Sequence, residues 1–177
     1  MGNKVSVIGG ARSGKSAFAE QLALKEFTKK TTENRNLFYL ATAQAFDEEM
    51  QTKILAHQKR RSSIWQTIDA PVELSKEVLA CSQKDNVILI DCLSMWTTNL
   101  LIKNVNIKKE RQVLAENITS SMATIIIVSC ETGLGIVPDT PLSRKFRDEN
   151  GDTNQVIAHL ANEMYFMIAG VPQKIKP

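Results

Sequence analysis

Short apolar runs alternate with amphipathic stretches along most of the chain. Lys4-Val5-Ser6-Val7-Ile8 predicts a strand, followed by a glycine-bearing turn over 9–16 and a helix to about Phe27, whose apolar side includes Ala17, Phe18, Leu22 and Leu24. A polar loop over 28–36 leads to a second strand, Leu37-Phe38-Tyr39-Leu40-Ala41-Thr42. Asp47 then suits the cap of a helix that carries Met50, Ile54 and His57 on one side and runs out near Arg61. Trp65-Gln66-Thr67-Ile68 follows a turn, and a helix is expected over 72–81 after Pro71. Val87-Ile88-Leu89-Ile90-Asp91 and Thr124-Ile125-Ile126-Ile127-Val128 are unbroken hydrophobic runs, the pattern of parallel strands buried on both faces. Helices are predicted over 95–101, 108–122 and 154–162, a loop over 133–141, and a last strand over 164–169 with 171–175 as an edge partner.

Strands that alternate with helices imply an α/β fold, a mainly parallel sheet flanked by helices. Neither an internal repeat nor a low-complexity linker divides the chain, so residues 1–177 are expected to form one domain.

Composition narrows the function. With 43% hydrophobic residues, 22 basic and 19 acidic side chains, and a net charge of +3, the chain has enough apolar surface for a core but too little basic excess for nucleic-acid binding as its main business. No apolar run approaches the ~20 residues of a membrane span. Met1-Gly2-Asn3-Lys4 enters the first strand without the apolar region of a signal peptide, which points to the cytoplasm. Cys81, Cys92 and Cys130 are odd in number and contain no C-x-x-C pair, which argues against a disulfide framework or a zinc site.

Chemistry is concentrated in a few segments. Gly9-Gly10-Ala11-Arg12-Ser13-Gly14-Lys15-Ser16 fits G-x-x-x-x-G-K-[ST] between a predicted strand and a predicted helix. Such a loop turns successive N–H groups toward phosphate oxygens, the helix start adds positive potential, Lys15 reaches the β- and γ-phosphates, and Ser16 would ligate Mg²⁺. Asp91 ends a buried strand, the place of a carboxylate that holds Mg²⁺ directly or through water. In open α/β sheets ligands gather at the carboxyl ends of strands, so the loop and Asp91 should share one crevice.

His57 follows Lys53 and precedes Arg60 and Arg61 by about a turn, so cations would flank its imidazole on a helix. That pattern suits a nucleophile toward phosphorus; it equally suits a boundary residue of the Met50-Ile54-His57 stripe with solvated neighbours. His159, in Ile157-Ala158-His159-Leu160, reads as scaffold. Gly133 and Gly135 suggest either close backbone approach to a ligand beside Glu131 or a plain loop. Arg144, Lys145 and Arg147, in a helical stretch near Asp148, form either a phosphate-gripping face or a solvated one.

Taken in order, these segments resemble the bifunctional adenosylcobinamide kinase / adenosylcobinamide-phosphate guanylyltransferase family. The resemblance rests on the Gly9–Ser16 loop, Tyr39-Leu40-Ala41-Thr42-Ala43, Asp47-Glu48-Glu49-Met50 leading to Ile54-Leu55-Ala56-His57 and Arg61, and Asp91-Cys92-Leu93 with Trp96 and Asn99-Leu100-Leu101. It continues through Glu131-Thr132-Gly133-Leu134-Gly135-Ile136-Val137-Pro138, then Pro141-Leu142-Ser143-Arg144-Lys145-Phe146-Arg147-Asp148 and Asn154-Gln155.

The resemblance implies a RecA-like P-loop NTPase fold and a homotrimer. It implies phosphorylation of adenosylcobinamide with ATP or GTP, then transfer of GMP from GTP to adenosylcobinamide phosphate. His57 would be the residue that accepts GMP. The nucleotide-binding positions would be Gly9, Gly10, Ala11, Arg12, Ser13, Gly14, Lys15, Ser16, Ala41, Thr42, Ala43, Gln58, Lys59, Arg60, Arg61, Asp69 and Asp91. Two positions depart from the family's common pattern: Cys130 stands where Asn is usual and Asp69 where Glu is usual. A kinase with a single activity on a small molecule and a non-catalytic GTP-binding module are the alternatives that the same P-loop would serve.

Overall fold

A computed structural model describes residues 2–29, 35–44 and 62–177. The expected helix over 47–61, with His57, lies outside the described residues. In chain order the described elements are β1 (Lys4–Gly9), α1 (Lys15–Thr28), β2 (Leu37–Ala41), β3 (Trp65–Asp69), α2 (Leu74–Ala80) and β4 (Val87–Asp91). They continue with α3 (Leu93–Ile102), α4 (Ile107–Ser120), β5 (Thr124–Cys130), α5 (Pro141–Leu160), β6 (Glu163–Ile168) and β7 (Val171–Lys176). The seven strands form one sheet in the order β3-β2-β4-β5-β1-β6-β7. All neighbours are parallel except β6 and β7.

The wholly apolar strands are central because both of their faces are covered. In β4, Ile88 and Ile90 point to one side and Val87 and Leu89 to the other; in β5, Ile125 and Ile127 oppose Ile126 and Val128. One face packs on Leu74 and Val78 of α2, Trp96 and Leu100 of α3, Leu114 and Ile118 of α4 and Ile157 of α5. The opposite face meets Ala19 and Ala23 of α1, whose small side chains let that helix lie close to the sheet. Trp96 is fully buried, and its indole N–H donates to the Val72 carbonyl at 2.9 Å, so the ring's polar group is satisfied.

Two expectations need correction. The region expected to hold a helical stretch near 144–148 and a separate helix over 154–162 is one continuous helix, α5, which runs through Gly151. Its buried positions include Asn150, Thr153 and Asn154, so an inward face built partly of polar groups hides the apolar periodicity that marks a helix in sequence. His159 is exposed in the last turn of α5 and is not packed in the core.

The edge hairpin obeys its sequence. Ala169 and Gly170 both have positive φ, 49° and 84°, which suits a two-residue connection of antiparallel strands, and Pro172 lies in the edge strand β7, where a missing N–H is tolerated. Glu163 at the start of β6 accepts from Asn3 at 2.9 Å and from the Tyr165 hydroxyl at 3.0 Å, and pairs with Lys174 at 2.8 Å. Lys174 above all, then Asn3, hold its carboxyl down to about 2. Because the folded-state pKa is depressed, the stabilisation is present above about pH 4.5 and is lost as pH falls toward 2. Glu163→Gln is therefore expected to lower Tm by about 1–2 °C at pH 7, with the difference closing below pH 4, as thermal unfolding across pH will read.

Candidate functional site

The site is built where the carboxyl ends of β1, β5, β4, β2 and β3 come level. Parallel register aligns Gly9 with Cys130, Asp91 with Val128, and Ala41 with both Asp91 and Asp69. The loop after β1, Asp91 and Asp69 therefore share one rim of the sheet, where open parallel sheets bind ligands.

Backbone constraints shape the loop. Gly14 has φ 92°, and a Cβ there would lie 3.3 Å from the Gly170 Cα in the β6–β7 turn, so conformation and space both favour glycine. At Gly9 a Cβ would come within 2.6 Å of the Met167 carbonyl oxygen. The loop is tied on two sides: the Glu131 N–H donates to the Gly9 carbonyl at 2.9 Å, and the Gly170 N–H to the Ser13 carbonyl at 3.0 Å. Lys15 opens α1, is buried, and donates its ammonium to the Gly10 carbonyl at 2.5 Å. Ser13 is also buried, and its hydroxyl has no hydrogen-bond partner among the described residues. Gly10, Ala11 and Arg12 line the more open part of the loop, and Ser16 follows Lys15 in the first turn of the helix.

Asp91 is oriented by Tyr39, whose hydroxyl donates to Oδ2 at 2.8 Å across the β2–β4 pair. Thr42, fully buried, locks the next residue: its hydroxyl donates to the Cys92 carbonyl and accepts from the Cys92 N–H, each at 2.7 Å. Asn99 reaches up from α3 and donates to the Thr42 and Pro71 carbonyls, both at 2.8 Å. It thus joins the loops after β2 and β3 under the rim. Asn99→Ala removes both donations at a buried site and is expected to cost about 2 kcal/mol, a fall of about 4–8 °C in Tm by differential scanning calorimetry.

The end of β5 is held as firmly. The Cys130 N–H donates to the Ser94 hydroxyl at 2.8 Å, while Asn150 and Asn154 of α5 donate to its carbonyl at 2.8 and 3.0 Å. The Cys92 and Cys130 thiols interact with each other, and the Lys15 charge acts on Cys130. Of the two, Cys130 is the more acidic, because Cys92 donates to it and Lys15 faces it; Cys92 is raised by that donation, by burial and by the adjoining Asp91.

The structure brings Gly9–Ser16, Ala41, Thr42, Ala43, Asp69 and Asp91 to one rim, with Asp69 exposed at its outer end. Gln58, Lys59, Arg60 and Arg61 lie, with His57, outside the described residues. Gly133 and Gly135 belong to an exposed loop, and a Cβ at Gly135 would meet nothing within 4 Å. Arg144 spends its guanidinium on the Pro138 and Asp139 carbonyls at 3.0 and 2.7 Å, and Arg147 pairs with Asp148 at 3.2 Å. Tyr39, Ser94 and Asn150 escape sequence reading as site-shaping residues because their partners come from distant segments; only the strand register and the position of α5 reveal them.

A parallel α/β sheet with a glycine-lysine loop between its first strand and first helix, and a carboxylate at the end of a nearby strand, defines a P-loop NTPase-like domain. The family model for cobinamide kinase / cobinamide phosphate guanyltransferase matches residues 5–175, and the chain belongs to that family. It is 39% identical over 172 residues to the bifunctional adenosylcobalamin biosynthesis protein CobP of Pseudomonas aeruginosa, covering 96% of this chain and 95% of that one. It is 33% identical over 187 residues to the bifunctional adenosylcobalamin biosynthesis protein CobU of Escherichia coli, covering 97% and 99%. A Pyrococcus horikoshii structure, solved as a structural study of project PH0250, shares the fold with a TM-score of 0.50 at 7% identity, covering 98% of this chain and 86% of that one. No helix among the described residues is long and apolar enough to cross a membrane.

Proposed function

We propose that this chain phosphorylates adenosylcobinamide with ATP or GTP and then transfers GMP from GTP, through a His57-linked intermediate, to adenosylcobinamide phosphate, giving adenosylcobinamide-GDP. The observation that carries the reading is the placement of Lys15, buried in the glycine loop, on the same rim as Asp91 in a chain of the cobinamide kinase / guanyltransferase family.

In the kinase step, the loop N–H groups and Lys15 stabilise charge on the transferring phosphoryl group while the acceptor hydroxyl attacks in line. Before that, Lys15 must leave the Gly10 carbonyl, a short local movement that nucleotide phosphates would compensate. The donor chemistry fits Mg²⁺: Asp91 and the Ser16 hydroxyl are hard oxygen ligands, and this ion commonly takes one or two protein oxygens, with phosphate and water completing its shell. When bound it would neutralise phosphate charge. Tyr39 keeps the Asp91 carboxylate turned in one direction by holding Oδ2.

In the transfer step, the His57 imidazole attacks the α-phosphorus of GTP, forming a P–N bond as pyrophosphate leaves. The phosphate of the acceptor then displaces the imidazole, splitting one difficult displacement into two easier ones. Ala41, Thr42, Ala43, Gln58, Lys59, Arg60, Arg61 and Asp69 complete the proposed nucleotide site beside Gly9–Ser16, and a homotrimer in the cytoplasm is the proposed working form. Incubation with γ-labelled ATP and adenosylcobinamide, and separately with α-labelled GTP and adenosylcobinamide phosphate, is expected to label both corrinoids. Label in the first alone identifies a kinase with one activity; label in neither, with GTP still bound, identifies a binding module.

A further inference from the structure

Cys92 and Cys130 are remote in sequence but adjacent in space because β4 and β5 are parallel neighbours, with Asp91 in register with Val128. Both cysteines thus stand at the carboxyl ends of those strands, where the Cys130 N–H reaches the Ser94 hydroxyl, two residues beyond Cys92, at 2.8 Å, and their thiols interact. Their backbones have little freedom to separate. Thr42 holds the N–H and the carbonyl of Cys92, Ser94 holds the N–H of Cys130, and Asn150 and Asn154 hold its carbonyl. Cys130 is in register with Gly9, where the glycine loop begins, and feels the Lys15 charge, so the pair adjoins the glycine loop. Cys81, the remaining thiol, is buried in the cluster packed against α2 and α3 on one face of the sheet.

We propose that Cys92 and Cys130 are a redox pair, closed to a disulfide by a peroxide, and that closure weakens nucleotide binding in the adjoining crevice. The Cys130 sulfur attacks one peroxide oxygen; the O–O bond breaks, a sulfenic acid forms, and the displaced hydroxide leaves as water with the thiol proton. The Cys92 sulfur then attacks the Cys130 sulfur, the S–S bond forms as the S–O bond breaks, and the second hydroxide takes the Cys92 proton. Two thiols lose two electrons, and the peroxide is reduced to two waters. A disulfide needs its sulfurs about 2.05 Å apart. Closing the pair to that length ties up the Cys130 sulfur on which the Lys15 charge acts and cross-links the strand ends that carry Asp91 and the loop from Glu131. A dithiol reverses the step by thiol–disulfide exchange.

The test treats the reduced full-length protein with hydrogen peroxide, then alkylates it under denaturing conditions and counts thiols by mass spectrometry. Alkylatable cysteines are expected to fall from three to one, with Cys81 the one left, and to return to three after dithiothreitol. Binding of a fluorescent GTP analogue is expected to weaken about tenfold on oxidation and to recover on reduction. Cys92→Ser and Cys130→Ser should each abolish the link and the oxidative change, judged against the same variant's own reduced affinity, while Cys81→Ser should keep both. Three thiols that survive peroxide, or a link through Cys81 or between chains, overturn the pair. A Cys92–Cys130 disulfide that leaves the GTP analogue's affinity unchanged overturns the effect on binding. The thiol count reads the pair whether or not the proposed transfer activities hold.

Discussion

Lys15→Ala is expected to lower kcat/KM for phosphoryl transfer to adenosylcobinamide by about 10²–10³-fold, with little change in KM for the corrinoid. The lysine is a fixed cation at the start of α1, held inside the glycine loop, so its charge is already where phosphate charge would develop. Alanine removes that charge and leaves the loop N–H groups. The fold should tolerate the change: the ammonium is buried, and deleting it relieves desolvation while freeing a loop carbonyl that can turn to water. A circular-dichroism melt unchanged or slightly raised, with the rate collapsed, separates a phosphate role from a structural one. Lys15→Arg should not restore the rate, since the wider planar group does not enter the space left by a buried ammonium. Activity within about threefold of the wild type would remove Lys15 from the mechanism.

The glycine loop was legible in sequence because its signal is local: a strand, a fixed spacing and a helix start lie within one short segment. The two central strands were legible for a related reason, since burial on both faces leaves no polar positions to interrupt Val87–Asp91 or residues 124–128. What could not be read is the order in which strands assemble. That β5 lies between β1 and β4, bringing Cys130 beside both Lys15 and Cys92, depends on pairing between distant segments and leaves no periodic trace. The unity of α5 was hidden by chemistry. Asn150 and Asn154 face inward to hold the Cys130 carbonyl, and an amide in a core position looks like surface until its partner is known. His159 shows the converse: an apolar neighbourhood in sequence, Ile157 and Leu160, does not bury a residue that the helical turn directs outward.

His57→Asn is expected to abolish covalent labelling by α-labelled GTP and to slow GMP transfer to adenosylcobinamide phosphate by at least about 10³-fold, while phosphorylation of adenosylcobinamide stays within a few-fold. The asymmetry follows from the two proposed steps. Phosphoryl transfer draws on the glycine loop and Lys15 and needs no covalent intermediate, whereas GMP transfer by this route needs a nitrogen nucleophile that can later leave. Asparagine keeps a comparable polar shape but has no basic lone pair on its amide nitrogen, so it cannot form the P–N bond. In the wild type, label carried on denaturing electrophoresis should be lost in acid and kept in base, because protonation of the imidazole makes it a good leaving group. A serine-linked ester would survive mild acid. Label that persists in His57→Asn would move the nucleophile elsewhere. A kinase rate that falls in parallel with GMP transfer would instead place His57 in the shared phosphate site, making it an electrostatic contributor to both reactions.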